Sequence, residues 1–182
     1  LLEGRTLTDR LGQLADEPVD GPAIIRGAGR IFDSQLGPGD PTATLALRAL
    51  HEAAGHAGLS VRDLVEMPLF VASSKGAIGS LLHPLTRNRA AAQGPHGYLC
   101  SLIQRQTGAP SCRAVVAACA SGLFALDGAL RLLRRGVAQR VAVVAVEASL
   151  LPLLMASYRR LGVLPPLTPS EYRCRPLDIQ RA

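Results

Sequence analysis

One cysteine lies in a run of small residues, and this run is the feature of the sequence best suited to covalent chemistry. Cys119 belongs to AACASG, residues 117–122, between a predicted strand and a predicted helix. Amide groups at the start of a helix, with the positive end of its dipole, favour the nucleophilic thiolate. Small neighbours let a substrate carbonyl approach, and backbone amides of such a turn can stabilise an oxyanion. We therefore predict that Cys119 is a catalytic nucleophile.

The other candidate side chains give weaker signals. The sequence has no CxxC pair and no histidine at metal-ligand spacing from a cysteine, so we expect no metal site. We interpret the other cysteines as small buried hydrophobic residues, and we assign the histidines no role. These residues are Cys100, Cys112 and Cys174, and His51, His56, His83 and His96. Glu147, at the end of a strand, is predicted to be a structural charge with a partner elsewhere, and Asp178 to fix a loop.

Three apolar runs bounded by turn-forming residues predict the strands that would position Cys119. The predicted strands are 68–73, 113–118 and 140–146. The second is expected to be buried, and the third, a nearly continuous Val/Ala run, to be a central strand covered on both faces. The last two strands and the helix between them predict one right-handed βαβ unit in an α/β fold.

Helical spacing of apolar residues predicts four helices. They are expected at 41–57, 96–106, 121–135 and 153–161. Asp40 followed by Pro41 is a start signal for the first. The third is apolar almost all round, which predicts a buried helix. Residues 1–40 and 77–95 are rich in turn formers or lack clear periodicity, and we expect them to be irregular.

Composition limits the classes of function. The chain has 182 residues, 48% hydrophobic and 19% charged, which is typical of one globular domain. The net charge of +6 is scattered, and its densest group, Arg131, Arg134, Arg135 and Arg140, suits a helix C-terminus. We therefore expect no nucleic-acid partner, although an acidic protein partner stays open. The chain has no signal-like start and no long apolar run, so we expect a cytoplasmic protein without a membrane span.

The run VVAACASG at 115–122 resembles the nucleophile motif of the β-ketoacyl synthases, in which a strand ends in small residues around a cysteine. Further landmarks follow at the family's spacing: a helix ending in Arg-Gly, a Val/Ala strand closing on Glu-Ala, and a box of arginine, proline and aspartate. They lie at 135–136, 147–148 and 174–178. Residues 71–79 resemble, less closely, the family's glycine-rich strand end beside the active site.

The resemblance implies a thiolase-like layered fold of two similar halves, each a mixed sheet packed between helices, and a homodimer across the strand before Cys119. Residues 1–182 would form the N-terminal domain, without the first strand and without the C-terminal half. Without that half, apolar helices such as 121–135 would be left exposed. In this family two histidines from the second half serve decarboxylation, and no histidine of this sequence matches them.

The activity implied is that of an acyltransferase in fatty-acid or polyketide biosynthesis. An acyl chain would pass from the phosphopantetheine arm of an acyl carrier protein to Cys119, and a decarboxylated malonyl thioester would then attack the acyl-enzyme. No other cofactor is expected. One alternative is a non-catalytic condensing-enzyme-like subunit that completes a dimer or sets chain length for a partner. Another, a cysteine hydrolase, needs a base and an orienting acid near Cys119, which no motif marks.

Overall fold

The computed structural model describes residues 40–83, 87–149, 151–163 and 179. Pro38–Ala148 form one compact unit, and Leu1–Gly37 with Ser149–Ala182 form another. The irregular segment predicted before residue 40, Cys174, and the 174–178 box with Asp178 lie outside the described residues. The described residues that surround Cys119 belong to the first unit.

Three short strands form a parallel sheet in the order β2-β1-β3. They are β1 (Leu69–Ala72), β2 (Cys112–Val115) and β3 (Ala142–Ala145). Leu69 pairs with the first residue of each neighbour and Ala72 with the last, so all three strands end together at one edge. The predicted strands are all present. The mixed sheet is not seen among the described strands, which are all parallel.

Two predictions about burial of the strands are wrong. The central strand is β1, all four of whose residues are buried, whereas β3 is an edge strand and only partly covered. In β2, Arg113 and Ala114 are exposed, so this strand is not buried either. Both errors have one cause: an apolar run shows that a strand tolerates burial, but its neighbours in the sheet decide how much burial it receives.

Helices cover both faces of the sheet, as predicted. Alternate side chains of a strand point to opposite faces. Leu69 and Val71 therefore pack in one core with α1 (Pro41–His56) and α3 (Arg87–Thr107). Phe70 and Ala72 pack on the other face with α4 (Ser121–Arg134).

The helix α1 confirms the start signal at residue 40. The Asp40 carboxylate accepts hydrogen bonds from the amides of Thr42 and Ala43, at 3.0 and 3.3 Å, and Pro41 occupies the first turn. The same side chain accepts a hydrogen bond from the Ser80 hydroxyl on the short helix α2 (Ile78–Leu82). Asp40 therefore joins two helices in addition to capping one.

The described residues of 77–95, which are 77–83 and 87–95, are mostly helical, so the prediction of an irregular segment is wrong there. They contain α2 and the first turns of α3, which breaks at Gly94, where φ is 69°, and resumes at Pro95. The glycine and proline do mark a break, but the alanines before them are strong helix formers, and Ala90 is fully buried. A two-turn 3₁₀ helix, Val61–Glu66, leads into β1.

The helix α4 (Ser121–Arg134) has the predicted extent but not the predicted burial. Its small residues and Leu132 face the sheet: Ser121, Ala125 and Ala129 are buried, Leu132 packs against the same core, and Gly128 packs against the ring of Phe70. Large apolar side chains point away from the sheet and are 41–72% exposed. They are Leu123, Phe124, Leu126, Leu130 and Leu133. Within the described residues nothing covers this face.

In chain order β2, α4 and β3 form the predicted βαβ unit, and its handedness stays a prediction. In the second unit α5 (Pro152–Arg160) confirms the last predicted helix. Of the helices in the described parts of the chain, none combines the length and apolarity that crossing a membrane requires.

Candidate active site

The residues that follow the three strands line a pocket of about 370 Å³. Parallel strands present their carboxyl ends at one edge of the sheet, which is where open α/β folds bind ligands. The lining residues are Ala72, Ser73 and Ser74 from β1; Ala118, Cys119, Ser121 and Gly122 after β2; and Ala145, Val146 and Glu147 from β3. Cys119 is the one cysteine among them, and the walls around it are mostly small and apolar.

Cys119 lies in a separate turn between strand and helix. The strand β2 ends at Val115, three residues earlier than predicted, and Ala118–Ala120 form a single 3₁₀ turn before α4 begins. The predicted position just before the first turn of a helix is confirmed. The Cys119 side chain is exposed, so a substrate can reach the thiol from the pocket.

The turn before Cys119 has a strained backbone. Ala118 has φ 48°, the one positive φ at a non-glycine residue in the described part of the chain. A residue with a Cβ in this left-handed region costs about 1–3 kcal/mol and persists only where surrounding contacts hold it. Three hydrogen bonds do so here. Ala117 N–H donates to Ser121 Oγ (2.8 Å), Ser121 Oγ–H to the Ala118 carbonyl (2.7 Å), and Ala120 N–H to the Ala117 carbonyl (3.0 Å).

The opposite wall is a tight loop after β1. Ser73 is buried, and its hydroxyl accepts a hydrogen bond from the amide of Gly76 at 2.8 Å. Gly76 has φ 62°, and a Cβ there would lie 2.7 Å from the backbone of Pro95, so only glycine fits. The break in α3 thus supports this wall of the pocket directly.

Glu147 joins the ends of two strands inside the pocket. Its carboxylate accepts a hydrogen bond from the amide of Ser74 at 2.9 Å and another from the Ser74 hydroxyl. Ser74 follows β1 and Glu147 follows β3, so this pair fixes the distance between two walls. Ser74 is thus a partner of the predicted structural charge. Glu147 also lines the same pocket as Cys119, which the sequence did not predict. Its position just past a strand of a parallel sheet was the available signal.

Cys100, Cys112 and the four histidines are not among the residues that line the pocket. Cys100 is buried, as predicted, and Cys112 only half-buried. Their thiols interact: hydrogen bonding between them lowers the pKa of Cys100, and the same interaction with burial raises the pKa of Cys112. His51, His56 and His83 are exposed and His96 is half-buried. Among the described residues, no three potential ligands come together at a metal-binding distance.

The model of the family described as "Beta-ketoacyl synthase, N-terminal domain" matches residues 27–178. The matched range includes all three strands, the turn with Cys119 and Glu147. A search among curated proteins found no match.

Proposed function

Because the chain belongs to the β-ketoacyl synthase family of condensing enzymes, we propose that Cys119 accepts an acyl group as a thioester and that the protein condenses it with a malonyl unit. One observation supports this assignment above the others. Cys119 is exposed in a pocket at the carboxyl edge of the sheet, whereas Cys100 and Cys112 are not among the pocket residues.

The first proposed step is a thioester exchange. The Cys119 thiol gives up its proton, and the thiolate attacks the acyl carbonyl of a carrier-bound thioester. The phosphopantetheine sulfur of the acyl carrier protein leaves as a thiolate and takes up a proton in turn. Small side chains at Ala118, Gly122 and Ala145 leave room for the acyl chain beside the sulfur. The carrier's own arm supplies the thiol, so this step needs no further cofactor.

The second proposed step forms the carbon–carbon bond. A malonyl thioester loses CO₂, the resulting carbanion attacks the acyl carbonyl on Cys119, and the cysteine leaves as thiolate, which divides a hard reaction into two accessible ones. We propose that the groups serving decarboxylation come from a second, similar half of the enzyme. We also propose a cytoplasmic location and a pathway in fatty-acid or polyketide synthesis.

The exposed face of α4 supports the two-halved architecture. Five large apolar side chains lie along one helix, among them Leu123 at 72% and Phe124 at 59% exposed. Exposed apolar patches of this kind mark contact surfaces. Full burial of one such side chain is worth about 1.5–3 kcal/mol. We propose that the second half covers this face, and that the exposed edge of β2 pairs with a second subunit, identical or closely related.

Labelling of the full-length protein tests the proposal. The protein is incubated with an acyl-carrier thioester or with the cysteine-directed inhibitor cerulenin, and the modified residue is mapped by peptide mass spectrometry. Selective modification of Cys119, lost in Cys119→Ala and retained in Cys112→Ala, is expected. Labelling of Cys119 no greater than that of Cys100, Cys112 or Cys174 contradicts the proposal. Acylation without condensation would instead support the non-catalytic, condensing-enzyme-like subunit.

A further inference from the structure

The hydroxyl of Ser121 makes unusual contacts for the first residue of a helix. A capping side chain normally accepts a hydrogen bond from amides further along its own helix. The residue at the cap position of α4 is Ala120, which makes no such bond. Ser121 instead bonds backwards, accepting from Ala117 N–H at 2.8 Å and donating to the Ala118 carbonyl at 2.7 Å. Its hydroxyl therefore stabilises the turn before the helix.

The two bonds enclose the strained residue. Ala118, with φ 48°, lies between the amide that donates to Ser121 and the carbonyl that accepts from it. Ser121 is only 4% exposed, so water does not readily replace its hydroxyl in these bonds. Alanine has no preference of its own for a left-handed backbone. Without the hydroxyl, the backbone at residue 118 would relax toward a right-handed or extended conformation and carry Cys119 with it.

We propose that Ser121 is a positioning residue that holds Ala118 in its left-handed conformation and thereby fixes the Cys119 sulfur in the pocket. Ser121 lines the pocket, but both hydrogen bonds of its hydroxyl go to the backbone of residues 117–118, and it acts through that backbone. The inference deepens the proposed function and rests on it, because positioning matters most if Cys119 must meet a thioester carbonyl at a defined angle. Loss of the hydroxyl should slow a step that depends on geometry more than one that needs only an accessible thiol.

Two reactions of Cys119 distinguish a loss of positioning from a loss of access to the thiol. In full-length Ser121→Ala, acylation by an acyl-carrier thioester should fall about 10- to 100-fold, since small displacements of a reacting group have effects of this size. Alkylation by iodoacetamide, which approaches an exposed thiol from many directions, should change less than about threefold. Ser101→Ala is the matched control, because Ser101 also loses a hydroxyl bond, to Gln93 at 2.7 Å, but does not line the pocket.

Rescue by glycine is the decisive variant. Glycine adopts a positive φ without the Cβ penalty, so adding Ala118→Gly to Ser121→Ala should restore acylation to within about threefold of the wild type. Should Ser121→Ala fail to fold, Ala118→Gly is compared with the double variant. In that comparison, adding Ser121→Ala to Ala118→Gly should slow acylation less than about threefold. A tenfold loss in that background means that Ser121 acts on substrate, and overturns the proposal.

Three other results would also overturn it: acylation of Ser121→Ala within twofold of the wild type, a parallel loss of acylation and alkylation, and no rescue in a folded double variant.

Amide hydrogen exchange tests the role of Ser121 independently of the proposed function. If the wild-type protein is not acylated at Cys119, the proposed function fails, but amide exchange at Ala117 still tests Ser121. Exchange there should quicken about tenfold in Ser121→Ala and not in Ser101→Ala, and an unchanged rate refutes the inference.

Discussion

Gly128 lies where α4 packs against the central strand, and we expect Gly128→Ala to destabilise the protein. A Cβ at this position would lie 2.8 Å from Cε1 and 3.3 Å from Cζ of the Phe70 ring. Phe70 is 5% exposed, and the Arg113 guanidinium lies 5.9 Å from its ring centroid. The ring is therefore enclosed and cannot simply turn away, so the helix or the strand must shift.

The sign of the effect follows from two opposing contributions. Replacing glycine by alanine inside a helix stabilises by about 0.5–1 kcal/mol. Inserting a methyl group into a filled core costs about 1–3 kcal/mol. We expect the second contribution to win, with a net loss of about 1 kcal/mol in the free energy of unfolding. Gly55→Ala in α1 is the control: its Cβ would meet nothing within 4 Å, so the helical gain alone should appear.

Urea denaturation of the full-length variants measures both effects. The unfolding midpoint should fall for Gly128→Ala and rise for Gly55→Ala, with the denaturant slope unchanged. A double-mutant cycle with Phe70→Leu should show that the shorter side chain relieves part of the loss from Gly128→Ala. A Gly128→Ala protein as stabilised as Gly55→Ala, or a cycle with no coupling, would refute the packing argument.

Two further predictions concern carboxylates. A double-mutant cycle of Ser74→Ala with Glu147→Ala should give a coupling energy of about 0.5–1 kcal/mol in urea denaturation, because their bond is charged but exposed; additive effects would mean that the bond contributes nothing. The hydrogen bonds that Asp63 accepts from the hydroxyl and amide of Ser60 lower its pKa below the ordinary 3.8. Its stabilising contribution is therefore present above about pH 4 and is lost as the pH falls through the lowered pKa. The gap in unfolding midpoint between wild type and Asp63→Asn should be larger at pH 7 than at pH 2, and an equal gap would contradict this assignment.

The sequence predicted the helices and strands better than it predicted their burial. All three strands and the four predicted helices exist because local patterns determine them, from the apolar runs of the strands to the cap at Asp40. Burial was mispredicted for β2, β3 and α4 because it depends on partners distant in the sequence. The alanines before Gly94 formed a helix where the glycine and proline had indicated only a loop.

In the candidate site, too, the sequence predicted the local feature but not the contacts between distant residues. Local sequence marks Cys119, through small neighbours and its place before a helix. The bond between Ser74 and Glu147 joins residues 73 positions apart, and no local pattern predicts it. The sequence also could not predict the left-handed backbone at Ala118, because alanine has no preference for this conformation. The hydrogen bonds of Ser121, seen in the structure, explain what holds it there.

Three polar side chains of the pocket lie just beyond the strands, and this separates them from the residues that hold the sheet together. Ser74, Cys119 and Glu147 come two to four residues after β1, β2 and β3 end. Other residues, such as Leu69 and Val71, pack in the hydrophobic core and hold the sheet together. A substitution at these three positions should therefore leave the sheet folded, although loss of the Ser74–Glu147 bond removes one link between two walls of the pocket. The same frame can carry different chemistry, and an inactive protein of this architecture need not be an unfolded one.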